Sequence, residues 1–312
     1  VLGNDGYMGT AITKRGNKKL TWETTSEFNI GLDLGFFDNR ISLSMEYYNR
    51  IISDLLVSNK SLPAYNEINT IAANIGKTQG CGFELTLSTV NIMNKDWTWS
   101  TDFTFYTFKD NWYERDPNWK PAAYESKKDP IRSYYSYVSD GLLQVGEKAP
   151  AWQPTLVPGQ IKLKNLYDTG TSPNVLDQYD KVNLGSQDPK CTLGLNNTLR
   201  YKNLDFNIYF YGEIGRLRGA SYYDAWIVGL GNSLTNVSQQ SLHSYTNANQ
   251  NTTVPNLIES AYDFGDYYHK KINYLRCRNI TLGYKIQVSK SIAKSVRISA
   301  NVSNPFVFTN WN

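Results

Sequence analysis

A chain of 312 residues, 40% hydrophobic and 19% charged with a mean hydropathy of −0.49, could bury a large core, yet no run approaches the ~18 consecutive apolar residues of a membrane-crossing helix. Its net charge of +4 is small and its Lys and Arg are scattered, which argues against a nucleic-acid partner. Three isolated cysteines (Cys81, Cys191, Cys277) without CxxC spacing, and two distant histidines (His243, His269), give no basis for a disulfide framework, a zinc site or Ser/His/Asp catalysis.

The chain opens VLGNDGYMGT, without an initiator Met or a charged-then-apolar leader, and is expected to be a fragment or a processed product. Residues 1 to 20 are Gly-, Asn- and Lys-rich and lack a period, so they read as a loop. From Phe28 to Phe36 the even positions Phe28, Ile30, Leu32, Leu34 and Phe36 are apolar, while Asn29, Gly31, Asp33 and Gly35 are not. After a turn at Phe37-Asp38-Asn39-Arg40, Ile41, Leu43, Met45 and Tyr47 alternate with Ser42, Ser44 and Glu46. That period of two predicts a hairpin of strands with one apolar and one polar face. Residues 58 to 72 contain a proline and read as a longer connection. Phe83, Leu85 and Leu87 then alternate with Glu84, Thr86 and Ser88. A turn at Met93-Asn94-Lys95-Asp96 leads into Trp97, Trp99, Thr101, Phe103 and Phe105 opposite Thr98, Ser100, Asp102 and Thr104.

Residues 110 to 190, rich in Asp, Pro, Gly and Tyr, form a long excursion with only short strand-like pieces. A third hairpin sets Leu193, Leu195, Leu199 and Tyr201 against Gly194, Asn196 and Arg200, then turns at Lys202-Asn203 into Leu204, Phe206, Ile208 and Phe210. Another long connection covers 212 to 270. A last hairpin pairs Ile272–Ile286 with Val296–Phe308 across a turn near 291.

Short and long connections alternate strictly. A soluble sandwich has no reason to keep that rhythm, whereas an outer-membrane barrel has short periplasmic turns and long outer loops. The fold class expected is therefore all-β: a transmembrane antiparallel β-barrel, partial, of about eight strands, with long extracellular loops at 58 to 72, 110 to 190 and 212 to 270. Each segment supplies the roughly 9 to 11 residues a tilted strand needs to span. Trp22, Trp97, Trp99, Tyr201, Tyr284 and Trp311 stand near strand ends, where an aromatic girdle belongs. Arg276 and Arg278 lie on the apolar register, where a mid-membrane Arg costs about 2 to 4 kcal/mol. They are expected at the outer interface or beside a bulge, and Pro305 at a strand end or bulge.

In this order, NIGLDLGFFDNRISLSMEYYNRIISDLL, ANIGKTQGCGFELTLS, DWTWSTDFTF, YSYVSDGLLQ, NYLRCRNITLGY and VRISANVSNPFVFT resemble recurrent blocks of the SusC/RagA-type TonB-dependent outer-membrane transporters of Bacteroidetes. The resemblance covers most of residues 21 to 310. It implies a barrel of about 22 strands with an N-terminal plug, of which residues 1 to 312 would be the C-terminal part without plug or closing strand. It further implies a SusD-like surface lipoprotein as lid, TonB acting through the N-terminal region, an oligosaccharide or peptide solute, surrounding outer-membrane lipid, and a dimer of transporter–lid pairs as a compatible assembly. No enzymatic activity and no cofactor is expected. Where the family shows a calcium-like loop, Asn165, Asp168, Asp177 and Asp180 remain as candidates, against a solvated acidic turn, because Tyr167 and Thr171-Ser172-Pro173 break the spacing.

The residues themselves describe a wall. Its polar face would carry Asn29, Asp33, Ser42, Ser44, Glu46, Glu84, Thr86, Asp102, Asn196, Arg200, Asn207 and Asn301. The outer loops hold aromatics suited to sugar faces, peptide backbones or a lid: Trp112, Tyr113, Trp119, Tyr124, Trp152, Tyr222, Tyr223, Trp226, Tyr245, Tyr262, Tyr267 and Tyr268. Three functions fit: energised import, passive diffusion through a porin, or a β-sheet surface adhesin or glycan-binding module. The last requires the apolar face to be buried.

Overall fold

The computed structural model describes residues 16–61, 70–167, 174–219, 239–256, 264–288 and 294–311. In chain order the strands are β1 Thr24–Phe36, β2 Ile41–Ser53, β3 Leu56–Ser61, β4 Thr70–Asn74, β5 Lys77–Met93, β6 Trp97–Glu114, β7 Ser133–Tyr137, β8 Ser139–Leu142, β9 Ile161–Leu163, β10 Lys181–Ser186, β11 Cys191–Tyr201, β12 Leu204–Gly219, β13 His269–Gln287 and β14 Ser295–Thr309. Eight of them form one antiparallel sheet in the order β1-β2-β5-β6-β11-β12-β13-β14. Each strand lies beside the next of the eight in sequence, the up-and-down order of a barrel wall.

Register turns the alternation into two faces. One cross-strand row runs Leu34, Leu43, Leu87, Phe103, Leu195, Phe210, Cys277, Phe306, apolar in all eight strands. The next row runs Gly35, Ser42, Ser88, Asp102, Asn196, Tyr209, Asn279, Ser303 and lies on the opposite face. No described element covers the apolar face: Phe28, Ile298 and Phe308 are each more than 60% exposed. A contiguous apolar surface of this extent is unlike the surface of a water-soluble monomer and fits contact with lipid. It also removes the premise of the soluble adhesin.

The turns follow from local chemistry. Asp38 and Asn39 take positive φ between β1 and β2, where short polar side chains tolerate the left-handed region, and the Arg40 N–H closes on the Phe37 carbonyl at 3.1 Å. Asn94 Oδ1 accepts the N–H groups of Asp96 and Trp97, bending the chain from β5 into β6. Lys202 has φ +50 in the two-residue turn to β12. The expected turn near 291 lies outside the described residues.

Two expectations are corrected. Residues 58 to 72 are not a plain connection, because β2 and β5 continue past breaks at Asp54 and Gly76 as the paired strands β3 and β4. The spanning strands also extend further outward than the hydropathy pattern. β5 begins at Lys77 and β6 ends at Glu114, giving 17 and 18 residues against the roughly 9 to 11 a span requires. The ladder holds there (Gly82 opposite Phe108, Gly80 opposite Asp110) although the alternation has dissolved. Outside the lipid both faces meet water, so nothing demands an apolar side; backbone pairing alone keeps the strand.

The bulge expectation is met, and its consequence is larger than expected. β13 carries an extra residue, Arg278, between Asn279 (opposite Tyr209) and Cys277 (opposite Phe210), and β14 answers with Asn304 at φ +51 beside Pro305. The extra residue reverses the facing of everything N-terminal to it in β13. Cys277 thereby joins the apolar row, and Arg276 turns to the polar face, opposite Tyr211. No arginine has to enter lipid.

Buried side chains concentrate outside the sheet. Leu142, Ile161, Leu163, Tyr245 and Tyr268 form a core with Tyr137, Leu176, Phe264 and Tyr267 packed on it. The two long excursions thus build one folded assembly, framed by the pairs β7–β10 and β8–β9 and tied to the outer strand ends by Ile131 N–H to Asp110 O and Lys190 N–H to Ile214 O.

Candidate functional site

The polar face carries several clusters of side-chain hydrogen bonds. Ser88 Oγ donates to Asp102 at 2.8 Å, and Asn207 donates to Asn196 Oδ1 at 2.7 Å and Thr198 Oγ1 at 3.0 Å. Asn301 donates to Asn279 at 2.5 Å and to Thr281 at 2.8 Å. At the other side of the sheet Asn29 donates to Glu46. Asn29, Glu46, Ser88, Asp102, Asn196, Asn207 and Asn301 were expected on this face, and the register sets Thr198, Asn279 and Thr281 beside them. Cross-strand pairing satisfies their polar groups in part while leaving the surface wet.

An aromatic group on the same face escapes the sequence pattern. Tyr48 lies over Gly82, whose added Cβ would sit 2.6 Å from the Tyr48 ring, and its hydroxyl is 2.8 Å from that of Tyr106. Tyr106 in turn stacks on Phe108 with centroids 5.4 Å apart. The available signal was a strand glycine placed where a large ring must lie flat across the neighbouring backbone. A second group on β12 and β13 joins Tyr211 and Tyr274, 6.2 Å apart, with Arg276 6.0 Å above Tyr274 and Arg278 5.3 Å above Tyr211.

The outer-loop aromatics divide by environment. Tyr245 and Tyr268 are 3% and 8% exposed and pack the loop core; the Tyr245 hydroxyl accepts the Val145 N–H at 3.0 Å, and Gly159 at φ +87 gives the ring room. The Tyr267 hydroxyl is spent on the Thr253 carbonyl at 2.5 Å, and burial raises its pKa. Trp152 donates its indole N–H to Leu163 O at 2.7 Å. Arg115 lies over Trp112 and Trp119, 5.2 and 4.0 Å from their centroids, and Lys181 lies over Tyr124 and Tyr137 at 5.6 and 5.0 Å. One face of each of these rings is taken by a cation. Tyr113, 58% exposed, keeps an accessible ring. Tyr222, Tyr223, Trp226 and Tyr262 lie outside the described residues.

The acidic loop is a backbone clamp. Asp180, fully buried, accepts the N–H groups of Leu166, Tyr167 and Asp177 at 2.6, 3.0 and 2.9 Å, while Asp177 caps the short helix Gln178–Asp180 through the Tyr179 N–H at 2.7 Å. Asp168 lies outside the described residues. Among the described residues no three His, Cys, Asp or Glu side chains converge.

Residues 2–304 match the family described as TonB dependent receptor-like, beta-barrel. The chain belongs to that family. Among curated relatives of this TonB-dependent receptor barrel, TonB-dependent receptor P3 of Formosa agariphila is 28% identical over 328 residues, spanning 100% of this chain and 32% of the relative. TonB-dependent receptor SusC of Bacteroides thetaiotaomicron is 28% identical over 320 residues, spanning 98% of this chain and 31% of the relative. The chain thus spans about a third of the length of these relatives. The RagAB peptide transporter structure superposes with a TM-score of 0.76 at 20% identity, over 99% of this chain and 34% of that one. The TonB-dependent receptor barrel is an outer-membrane fold. Its apolar rows therefore face lipid, and its polar rows face the lumen.

Proposed function

We propose that this TonB-dependent receptor barrel forms part of the wall of an energised importer of oligosaccharides or peptides that works with a SusD-like surface lipoprotein as lid. The observation that carries the proposal is the lumenal face: an extended hydrogen-bonding surface with flat rings at Tyr48, Tyr106 and Phe108, continuous with a packed loop assembly at its outer rim. Rings with polar edges beside Asn, Asp and Ser suit extended polar solutes, for which each contact is weak and many act together.

The test is uptake in the native host. Strains lacking the full-length receptor, and strains depleted of TonB, are fed fractionated peptide and glycan mixtures, and the receptor is isolated with whatever lipoprotein accompanies it. Loss of the same fractions in both strains, with a co-purifying lipoprotein, is expected. Uptake that survives TonB depletion would establish passive diffusion instead.

A further inference from the structure

Arg276 and Arg278 are placed on the lumenal face by the bulge in β13. Arg276 stands in the polar row Asp33, Ser44, Thr86, Thr104, Gly194, Tyr211, and Arg278 is the inserted residue itself. Each guanidinium lies over a tyrosine, Arg276 6.0 Å from the Tyr274 centroid and Arg278 5.3 Å from the Tyr211 centroid, a placement that leaves N–H groups free to bond elsewhere. The nearest carboxylate on this patch, Glu213, is already committed: Tyr211 Oη donates to one of its oxygens at 3.0 Å and Arg216 Nε to the other at 2.6 Å. No hydrogen bond or ion pair joins Arg276 or Arg278 to another described residue. Other acidic side chains of the polar face, Asp33, Glu46, Glu84 and Asp102, stand on β1, β2, β5 and β6, across the sheet. Two ring-supported guanidiniums with no ion pair among the described residues are a fork for an oxyanion.

We propose that Arg276 and Arg278 form a station on the lumenal wall that binds an oxyanion group, carboxylate or sulfate, carried by the solute. This rests on the import function proposed above and gives it a selectivity. A neutral solute gains nothing from the pair, whereas an anionic one exchanges water for charge-assisted hydrogen bonds. Lysine could keep the charge but not the planar fork or the stacking, so Arg276→Lys is expected to retain only part of the preference.

The experiment uses the full-length receptor in detergent, with any lipoprotein that co-purifies. Calorimetric titrations compare N-acetyl-tetra-alanine having a free carboxylate with its C-terminal amide, and maltotetraose monosulfate with maltotetraose. The pair that responds identifies carboxylate or sulfate as the source. At least one anionic probe is expected to bind about tenfold tighter than its neutral twin, the scale of one hydrogen bond to a charged group. That preference should shrink in high salt and vanish in Arg276→Gln/Arg278→Gln, while heat-modifiable migration reports an intact barrel. Equal binding of the twins, no binding of either anionic probe, or a preference that survives the double variant would each overturn the station. TonB-independent uptake with the twin preference intact would instead sink the import function alone.

Discussion

Replacing Asp180 by Ala should loosen the outer-loop assembly without disturbing the wall. The carboxylate accepts three backbone N–H groups from two separate segments, 166–167 and 177, and is fully buried. A hydrogen bond to a charged group contributes about 1.5 to 3 kcal/mol. Leu166 and Tyr167 are 38% and 61% exposed, so water recovers part of the loss at their amides. The remainder comes to about 3 to 5 kcal/mol, most of it at the Asp177 amide and in the freed loop closure. Because the excursions are a packing unit of their own, the loss falls on local opening. Hydrogen exchange on the full-length receptor should then show amides of 139–166 and 174–187 exchanging roughly a hundredfold faster or more, with those of β5 and β11 unchanged. An exchange change below about threefold, or one spread equally through the sheet, would refute the clamp.

Leu163→Ala, at a site only 1% exposed in the loop core, should cost about 2 to 5 kcal/mol of the same local stability and expose the excursions to limited proteolysis. Ile280→Arg, in the apolar row between Ile208 and Val302, should cost about 2 to 4 kcal/mol and lower the heat-modifiable fraction in outer membranes, while Ser44→Arg on the lumenal row should leave it unchanged. The Tyr135 hydroxyl, held by burial and by its 2.5 Å bond to Asp129, has its pKa pushed up to about 12 from an ordinary 10.0. The unfolded loop therefore loses this proton first as pH rises. The stability it contributes is complete below about pH 10 and is lost between about 10 and 12, a slope that Tyr135→Phe should flatten in loop hydrogen exchange.

The two-faced hairpins were legible because lipid and water impose opposite demands on alternate residues, so Phe28–Phe36 and Trp97–Phe105 announce their faces in the sequence. Beyond the lipid that contrast vanishes, and with it the signal: Gly80 and Gly82 pair as strand without any alternation to mark them, and so does Asp110, which the sequence places in the excursion. The loop aromatics could not be sorted in the sequence for a related reason. A tyrosine has the same composition whether it fills a core, as Tyr245 does, or offers a free ring, as Tyr113 does. Only the long-range contacts between the two excursions distinguish them, and those leave no short-range period.

The bulge at Arg278 is the case in which local pattern and final geometry part most sharply. Read by parity alone, Arg276 and Arg278 would share a face with Ile280 and Leu282, and two charges would stand beside lipid. One inserted residue reverses the parity, but it would push Cys277 out of register with β14 unless that strand also yielded. It does, at Asn304 and Pro305, where a left-handed residue is followed by one that donates no ladder hydrogen bond. Two sequence irregularities that look like separate defects are therefore one device, and its product is a pair of arginines on the polar face of the wall.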